Sequence, residues 1–219
     1  MEFQLYNYFR SSPSYRVRIA LHLKGLEFQY KPVHLLKDGG EQHSEAYRKI
    51  NPAREVPSLV HEGQIITQSM AIIEYLDECY PNPSLFPKEP GPRARVRQLC
   101  EAINCTHPLQ NLKVLQYLQS EFGANEEQKQ KWLAEWMGRT FETLEETVKH
   151  TAGKFCWGDQ ITAADLFLIP QIFSGKRFNI GIERFKTLQR INEACLVHQA
   201  FIKAHPHRQV DTPPEIKES

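Results

Sequence analysis

The amino-acid sequence predicts an α/β domain followed by an all-helical domain. The chain has 219 residues, of which 41% are hydrophobic, and this is enough to bury a core. Strand-like and helix-like runs alternate over residues 1–82, whereas helical spacing dominates residues 93–219. A proline-dense stretch over residues 83–92 separates the two parts, and we interpret it as a stiff linker.

Bulk charge argues against a nucleic-acid or membrane partner. The chain carries 27 basic and 26 acidic residues, a formal net charge of +1, so any anion site has to be local. No apolar run reaches the length of a membrane span, and the N-terminus lacks a secretory pattern. The five cysteines are scattered without a C-x-x-C pair, which indicates reduced thiols. We therefore expect a cytoplasmic protein.

The residues near the C-terminus are not predicted to bind a metal ion. His205 and His207 stand two positions apart, but the sequence contains no H-E-x-x-H motif or comparable ligand cluster, so no metal site is predicted. The tail over residues 211–219 is polar and contains prolines. We expect this tail to be loosely ordered.

The first 82 residues are predicted to form a small α/β unit. The expected order is a strand over 3–8, a helix whose apolar run covers 17–23, a strand over 28–33, a short helix from Ser44, strands over 56–61 and 64–67, and a helix from Ser69. Gly25 stops the first helix, and Glu62-Gly63 joins the last two strands in a hairpin. This order, with Pro57 before the third strand, matches a thioredoxin-like fold. Serines stand where a redox C-x-x-C would follow the first strand.

Hydroxyls and arginines crowd the start of the first helix. We expect Ser12 to be the N-cap and Pro13 to take the first helical position, where its missing N–H costs nothing. The amides of Ser14 and Tyr15 would then point out of the helix, with the positive end of its dipole behind them. We interpret this arrangement as a site for a thiolate carried by a cofactor. An ordinary capped helix with solvated arginines fits the same residues.

A second helix start offers a related site. Gln68 and Ser69 follow the fourth strand, and Ser69 is predicted to cap the apolar helix that comes next. Exposed amides, a hydroxyl and a glutamine suit a carboxylate, although a plain N-cap explains the same pattern. Gln42, in the polar loop over residues 37–43, fits either a ligand contact or a solvent-facing position.

The second half is predicted to be all-helical. A break near Pro108 interrupts the first helical stretch, and His107 and Asn111 lie beside it. One apolar stripe at helical spacing is interpreted as core, namely Trp132, Trp136, Phe141, Leu144 and Val148. A capping box over residues 162–165 starts a further helix. Arg177, beyond that helix, is a candidate partner for a substrate carboxylate.

These motifs resemble the zeta class of the glutathione transferases. The class signature Ser-Ser-x-Ser-aromatic-Arg-Val-Arg-Ile-Ala-Leu stands here at residues 11–21. The likeness covers nearly the whole chain, through Asp38-Gly39-Gly40, Val56-Pro57, Gln68-Ser69, Pro108-Leu109-Gln110-Asn111-Leu112 and Gly158-Asp159. It implies a homodimer with glutathione as cofactor. One departure is Pro13, since the class commonly has cysteine there.

The resemblance also implies residue roles. Ser11 would bond the glutathione sulfur, the peptide of Val56 before a cis proline would pair with the tripeptide backbone, and Gln68 and Ser69 would hold the γ-glutamyl end. The expected catalytic residues are Ser11, Ser12 and Ser14. The expected cofactor-binding set is Ser11, Ser12, Pro13, Ser14, Tyr15, Arg16, Gln42, Val56, Gln68, Ser69, His107 and Asn111.

Two arginines are expected to hold the carboxylates of the substrate. Guanidinium matches carboxylate in bidentate geometry, which favours Arg10 and Arg177 for this role. Purely structural roles for both arginines are the alternative.

The activity that the resemblance implies is glutathione-dependent cis–trans isomerisation of maleylacetoacetate to fumarylacetoacetate. Maleylpyruvate is an alternative substrate, but relatives acting on it tend to carry arginines where this chain has Leu112-Lys113. A broader transferase, peroxidase or dehalogenase activity also fits a thiolate site. A non-catalytic binder of apolar anions is the alternative outside the enzymes.

Overall fold

A four-stranded mixed sheet forms the centre of the first part of the chain in the computed structural model, which describes residues 2–218. The strands are β1 (Phe3–Asn7), β2 (Phe28–Pro32), β3 (Ser58–His61) and β4 (Gln64–Thr67), in the spatial order β2-β1-β3-β4. β1 pairs in parallel with β2 and antiparallel with β3, and β3 and β4 form the predicted hairpin. This confirms the thioredoxin-like arrangement.

Three helices connect or follow these strands. They are α1 (Ser12–Leu23), α2 (Glu45–Ile50) and α3 (Ser69–Cys79). Gly25 has φ +65°, so it ends α1 in the left-handed conformation that the sequence predicts. The segment predicted as loop contains two short 3-10 turns, Lys37–Gly39 and Glu41–His43. Ser44 caps α2 by accepting from the Tyr47 amide at 3.2 Å.

The rest of the described chain is helical. Its helices are α4 (Pro90–Thr106), α5 (Leu112–Phe122), α6 (Glu126–Val148), α7 (Ala163–Arg177), α8 (Lys186–Leu196) and α9 (Gln199–Ala204). The predicted break is present, because a 3-10 turn over His107–Gln110 separates α4 from α5. Thr162 and Asp165 form the predicted capping box at the start of α7. Within residues 2–218, every helix is too short or too polar to traverse a bilayer.

Two compact units divide the chain. One comprises Met1–Leu85 together with Leu196–Ser219, and the other is Phe86–Cys195. The C-terminal segment therefore joins the sheet-bearing unit, whereas the predicted range 93–219 placed it with the helices. Its attachment is specific, because the Arg18 Nε–H of α1 donates to the Ala204 carbonyl of α9 at 3.1 Å.

The helical unit has its own apolar core. The predicted stripe on α6 contributes Phe141, Leu144 and Val148, each at most 1% exposed. Trp132 and Trp136 on the same stripe are only partly buried. The Trp132 indole N–H reaches the Leu109 carbonyl at 2.8 Å, because a buried donor requires a partner. The stripe thus serves packing, as the sequence indicates.

Candidate functional site

The start of α1 lies one residue earlier than predicted. Ser11, not Ser12, is the N-cap: it has extended backbone angles, and its Oγ accepts a hydrogen bond from the Ser14 amide at 3.3 Å. Ser12 is the first helical residue and Pro13 the second. The prediction of Ser12 as cap was wrong because proline is tolerated throughout the first turn, where no amide acceptor is required.

The amides expected to face an anion are already used. The Ser14 amide donates to Ser11 Oγ, and the Tyr15 amide donates to the Ser11 carbonyl at 2.9 Å. The prediction that both point freely outward is therefore wrong. The donor that this helix start does offer is the Ser11 hydroxyl itself. Its oxygen is occupied as an acceptor, and no other described residue takes its proton.

Several residues assigned to ligand binding are buried inside the sheet-bearing unit. Ser14, Tyr15 and Arg16 are each 0% exposed, and Ser12 is 6% exposed. The Tyr15 hydroxyl donates to the Phe201 carbonyl at 3.4 Å. These four side chains hold the helix in place and present almost no surface, whereas Ser11, Pro13 and Arg10 are half-buried.

The start of α3 has unusual backbone geometry. The N-cap is Gln68, one residue before the predicted Ser69, and it adopts φ 69° and ψ 118°. A non-glycine residue with positive φ costs about 1–3 kcal/mol and often marks a functional site. The Gln68 side chain is exposed and does not cap the helix, so the first-turn amides of α3 have no side-chain acceptor.

A buried arginine joins the two helix starts. Arg16 Nη1 donates to Ser69 Oγ at 3.1 Å, across 53 positions of sequence. Ser69 is 4% exposed. Its oxygen accepts this bond, and no described residue accepts the Ser69 hydroxyl proton. Ser69 thus resembles Ser11, since both are held as acceptors and retain a proton to donate.

Val56 lies beside the segment that leads to Ser11. The Val56–Pro57 peptide bond is cis, as the resemblance implied. The Val56 side chain belongs to a buried cluster with Tyr8, Phe9, Val33 and Tyr47. Neither the amide nor the carbonyl of Val56 takes part in a hydrogen bond within the described residues. A backbone donor and acceptor are therefore available next to the start of α1.

Gln42 is buried rather than solvent-facing. It is 7% exposed, its Nε2 donates to the Leu35 carbonyl at 3.3 Å, and its Oε1 has no partner within the described residues. Leu35 packs against the cluster that contains Val56. Gly40, with φ +104°, makes room for Gln42, because a Cβ there would lie 2.4 Å from Gln42 Nε2.

The remaining predicted residues lie in the helical unit. His107 is 9% exposed, and its Nδ1 lies 2.8 Å from Gln110 Nε2. Asn111 is the half-buried N-cap of α5 but makes no side-chain cap. Arg177 is exposed at the end of α7, with its guanidinium 4.0 Å from the ring centre of Phe178. These three residues belong to the helical unit.

The two C-terminal histidines have an acidic neighbour that the sequence did not reveal. Ligand atoms of His205, His207 and Glu218 lie within 4.8 Å of one another. The carboxylate of Glu218 is also 3.6 Å from Arg208 Nε. A guanidinium at the carboxylate opposes a bound cation, so we interpret Glu218 as the ion-pair partner of Arg208 rather than as a metal ligand.

Sequence reasoning missed Arg18 and Asp211. Arg18 is 0% exposed and bonds the carbonyls of Tyr8 and Phe9, which lead directly to Ser11. Asp211 Oδ2 accepts from the Phe9 amide at 3.0 Å, in a tail expected to be loosely ordered. The only signal in the sequence was the position of Arg18 within an otherwise apolar helical run. A solvent-exposed helix face gives the same pattern.

Comparison with known families agrees with this architecture. The glutathione S-transferase N-terminal domain model matches residues 5–84, and the C-terminal domain model matches residues 110–204. The chain is 43% identical over 214 residues to the maleylacetoacetate isomerase of Rattus norvegicus, covering 97% of this chain and 96% of the relative. It is 42% identical over 212 residues to the maleylacetoacetate isomerase of Pseudomonas aeruginosa, covering 96% of this chain and 99% of the relative.

Solved structures give the same assignment. A bacterial zeta-class maleylpyruvate isomerase aligns with a TM-score of 0.92 and 38% identity, covering 96% of this chain and 100% of that one. Maleylacetoacetate isomerase from Anaeromyxobacter dehalogenans, solved with bound glutathione, aligns with a TM-score of 0.86 and 40% identity, covering 97% and 98%. The chain therefore belongs to the zeta class of the glutathione S-transferase family.

Proposed function

We propose that this protein is a glutathione-dependent isomerase that converts maleylacetoacetate to fumarylacetoacetate. The observation that carries the proposal is Ser11 at the start of α1, with its oxygen fixed by the Ser14 amide and its proton still to be donated. Full-length relatives at about the same identity are named maleylacetoacetate isomerase in mammals and bacteria. A related structure holds a dicarboxyethyl derivative of glutathione in its active site.

The sheet-bearing unit offers a separate group for each end of glutathione. The first-turn amides of α3 and the Ser69 hydroxyl suit the γ-glutamyl carboxylate. The unused amide and carbonyl of Val56 suit pairing with the tripeptide backbone. Gln42, with its unpartnered Oε1, suits a polar group of the ligand.

The other residues of the predicted set have different roles in this proposal. The buried side chains of Ser12, Ser14, Tyr15 and Arg16 act by holding the helix start in position. Pro13 lies at the accessible edge of the first turn. His107 and Asn111 remain proposed contacts of the cofactor.

Activation of the thiol is within reach of these groups. A free thiol has a pKa of about 8.5, and lowering it by about two units takes roughly 2.7 kcal/mol of differential stabilisation. A hydrogen bond from a hydroxyl to a charged sulfur contributes about 1.5–3 kcal/mol, and a helix N-terminus adds up to about 1–2. The Ser14 amide also polarises the Ser11 hydroxyl, which strengthens it as a donor.

The reaction follows from a stabilised thiolate. The glutathione sulfur adds to a carbon of the cis double bond, and the electron pair moves onto the conjugated carbonyl as an enolate. The former double bond is now single and rotates. The enolate then reforms the double bond in the trans geometry and expels the thiolate, so glutathione is regenerated as a cofactor.

Arg10 and Arg177 are proposed to hold the carboxylates of the substrate and the developing enolate. Each guanidinium lies near an aromatic ring, Arg10 at 6.0 Å from Phe9 and Arg177 at 4.0 Å from Phe178. Such stacking restrains the position of each side chain. Bidentate geometry then suits a carboxylate.

Maleylpyruvate is the second candidate substrate. The zeta-class maleylpyruvate isomerase has the same fold at a TM-score of 0.92, and another from Ralstonia is 38% identical over 213 residues. The maleylacetoacetate isomerases compared above are 42–43% identical over similar lengths. Leu112-Lys113 stands where maleylpyruvate-specific relatives tend to have arginines, and this favours the longer substrate.

Turnover with both substrates tests the proposal. Purified protein with glutathione is expected to convert maleylacetoacetate to fumarylacetoacetate, with a higher kcat/KM than for maleylpyruvate, measured by chromatographic separation of cis and trans acids. Omitting glutathione should abolish the enzymatic rate, because the thiolate is the nucleophile. Absence of turnover with both acids would refute the isomerase assignment.

Substitution of Ser11 tests thiol activation. Ser11→Ala is expected to raise the thiol pKa of bound glutathione and to lower kcat about 10- to 100-fold, because the hydroxyl contributes about 1.5–3 kcal/mol to stabilising the thiolate. The thiolate absorbance of bound glutathione and the steady-state rate measure these effects. Ser14→Ala is the matched comparison, because its Oγ is buried without a partner. A larger loss in Ser14→Ala than in Ser11→Ala would move the sulfur contact to Ser14.

Two neighbouring glycines test the role of Gln42. Gly40→Ala places a Cβ against the Gln42 amide, whereas Gly39→Ala meets nothing within 4 Å. Both positions have positive φ, so both variants carry a backbone penalty. Glutathione affinity, measured by calorimetry, is expected to fall about tenfold more in Gly40→Ala. Equal affinities of the two variants would exclude Gln42 as a ligand contact.

We also propose that the protein acts in the cytoplasm as a homodimer. The five cysteines are all free, and three of them are buried, which fits a reducing compartment. Dimerisation rests on the family relationship alone. Cell fractionation and light scattering of the purified protein test these two statements, and a membrane-bound or monomeric protein would contradict them.

A further inference from the structure

We propose that Asp211, in the C-terminal segment, is a positioning residue for Ser11. The inference rests on the proposed function, because it concerns the thiolate that Ser11 is proposed to hold. Asp211 lies 202 positions after Phe9, yet its carboxylate binds the Phe9 amide directly. No sequence motif links the two, and the predicted site does not include Asp211.

The segment before Ser11 is a tight turn that is held from both sides. The Ser11 amide donates to the Tyr8 carbonyl at 3.0 Å and closes the turn. On one side of the turn, the Phe9 amide donates to Asp211 Oδ2 at 3.0 Å. On the other side, Arg18 donates from Nη2 to the Phe9 carbonyl at 2.9 Å and from Nη1 to the Tyr8 carbonyl at 3.3 Å. The position of Ser11 thus depends on Asp211 and Arg18 together.

Asp211 is itself fixed by further contacts. The Tyr30 hydroxyl donates to Asp211 Oδ1. Burial is the main cause that raises the pKa of Tyr30 well above its usual range, so the phenol stays protonated as a donor. The next residue, Thr212, donates from Oγ1 to the Pro206 carbonyl at 2.6 Å, which closes the segment before the tail. Asp211 is therefore an anchored group rather than part of a loose tail.

The carboxylate also complements a buried charge. Arg18 is 0% exposed, and burial lowers its pKa, while Tyr30, Tyr15 and Asp211 act in the opposite direction. Loss of Asp211 weakens the support of this guanidinium as well as that of the Phe9 amide. The Phe9 amide and the Arg18 guanidinium are then held less tightly, and the Ser11 oxygen moves relative to the glutathione sulfur. Displacements of less than an ångström are sufficient to affect such a contact.

The contacts predict that Asp211 affects the thiol pKa of bound glutathione and not the binding of the tripeptide. The groups proposed for the tripeptide, at Val56, Gln68 and Ser69, make no hydrogen bond to Asp211 within the described residues. Binding of S-methylglutathione, which has no thiol proton, should therefore be insensitive to Asp211. The pKa of the glutathione thiol in the complex should depend on it. A residue that only stabilises the fold would not separate these two measurements.

The test compares Asp211→Ala with Glu215→Ala in the full chain. Glu215 is an exposed carboxylate four residues further along the same tail, in the short turn Pro214–Ile216. Asp211→Ala is expected to raise the thiol pKa of bound glutathione by about one unit and to lower kcat near neutral pH about tenfold. Its affinity for S-methylglutathione should be unchanged within error, and Glu215→Ala should match the wild type in all three measurements.

A conservative variant keeps the inference testable if Asp211→Ala misfolds. In Asp211→Asn the amide oxygen still accepts from the Phe9 amide, so most of the wild-type thiol pKa and kcat should be retained. Unchanged thiol pKa and kcat in folded Asp211→Ala would overturn the inference. If that variant does not fold, Tyr30→Phe, which removes one anchor of the Asp211 carboxylate, is expected to speed the hydrogen exchange of the Phe9 amide and to raise the thiol pKa of bound glutathione. Wild-type values of both quantities in Tyr30→Phe would overturn the inference. An ordinary thiol pKa in the wild-type complex would instead refute the proposed role of Ser11.

Discussion

The sheet-bearing unit depends on one buried guanidinium. Arg18 donates to the Asn7 side chain at the end of β1, to the carbonyls of Tyr8 and Phe9, and to the Ala204 carbonyl in α9. A buried charge is costly unless its hydrogen-bonding capacity is met, and here four acceptors meet it. Removing the guanidinium would leave three buried backbone carbonyls without this donor. Strand, helix start and C-terminal helix are thereby fixed relative to one another by a single side chain.

The same principle recurs at the site, with hydroxyls in place of the guanidinium. Ser11 and Ser69 each accept one hydrogen bond from the protein, from the Ser14 amide and from Arg16. Each hydroxyl is thereby oriented in advance and still has a proton for an anion. Orienting a donor before the ligand arrives reduces the reorganisation needed when charge develops. In the proposed function, these two hydroxyls serve the thiolate and the γ-glutamyl carboxylate.

Sequence reasoning recovered most of the architecture, and its errors have local physical causes. The strand and helix order, the hairpin, the break after α4 and the capping box at Thr162 depend on turn residues and periodicity, which short windows reveal. Both helix caps were predicted one residue late, because Ser11 and Ser12 are equally good caps and Gln68 adopts a left-handed conformation. Arg18 and Asp211 act through contacts across long separations in the chain, which no local pattern contains.

The grouping of both chain ends in one unit has a consequence for biosynthesis. Residues 196–219 pack with residues 1–85. In the sequence, the helical unit lies between these two ranges. A ribosome therefore releases the strands and the helix starts long before α9 and Asp211 have been made. Until then the carbonyl of Ala204 and the carboxylate that binds the Phe9 amide are missing from the nascent unit. The turn before Ser11 can reach its final geometry only after Asp211 has left the exit tunnel.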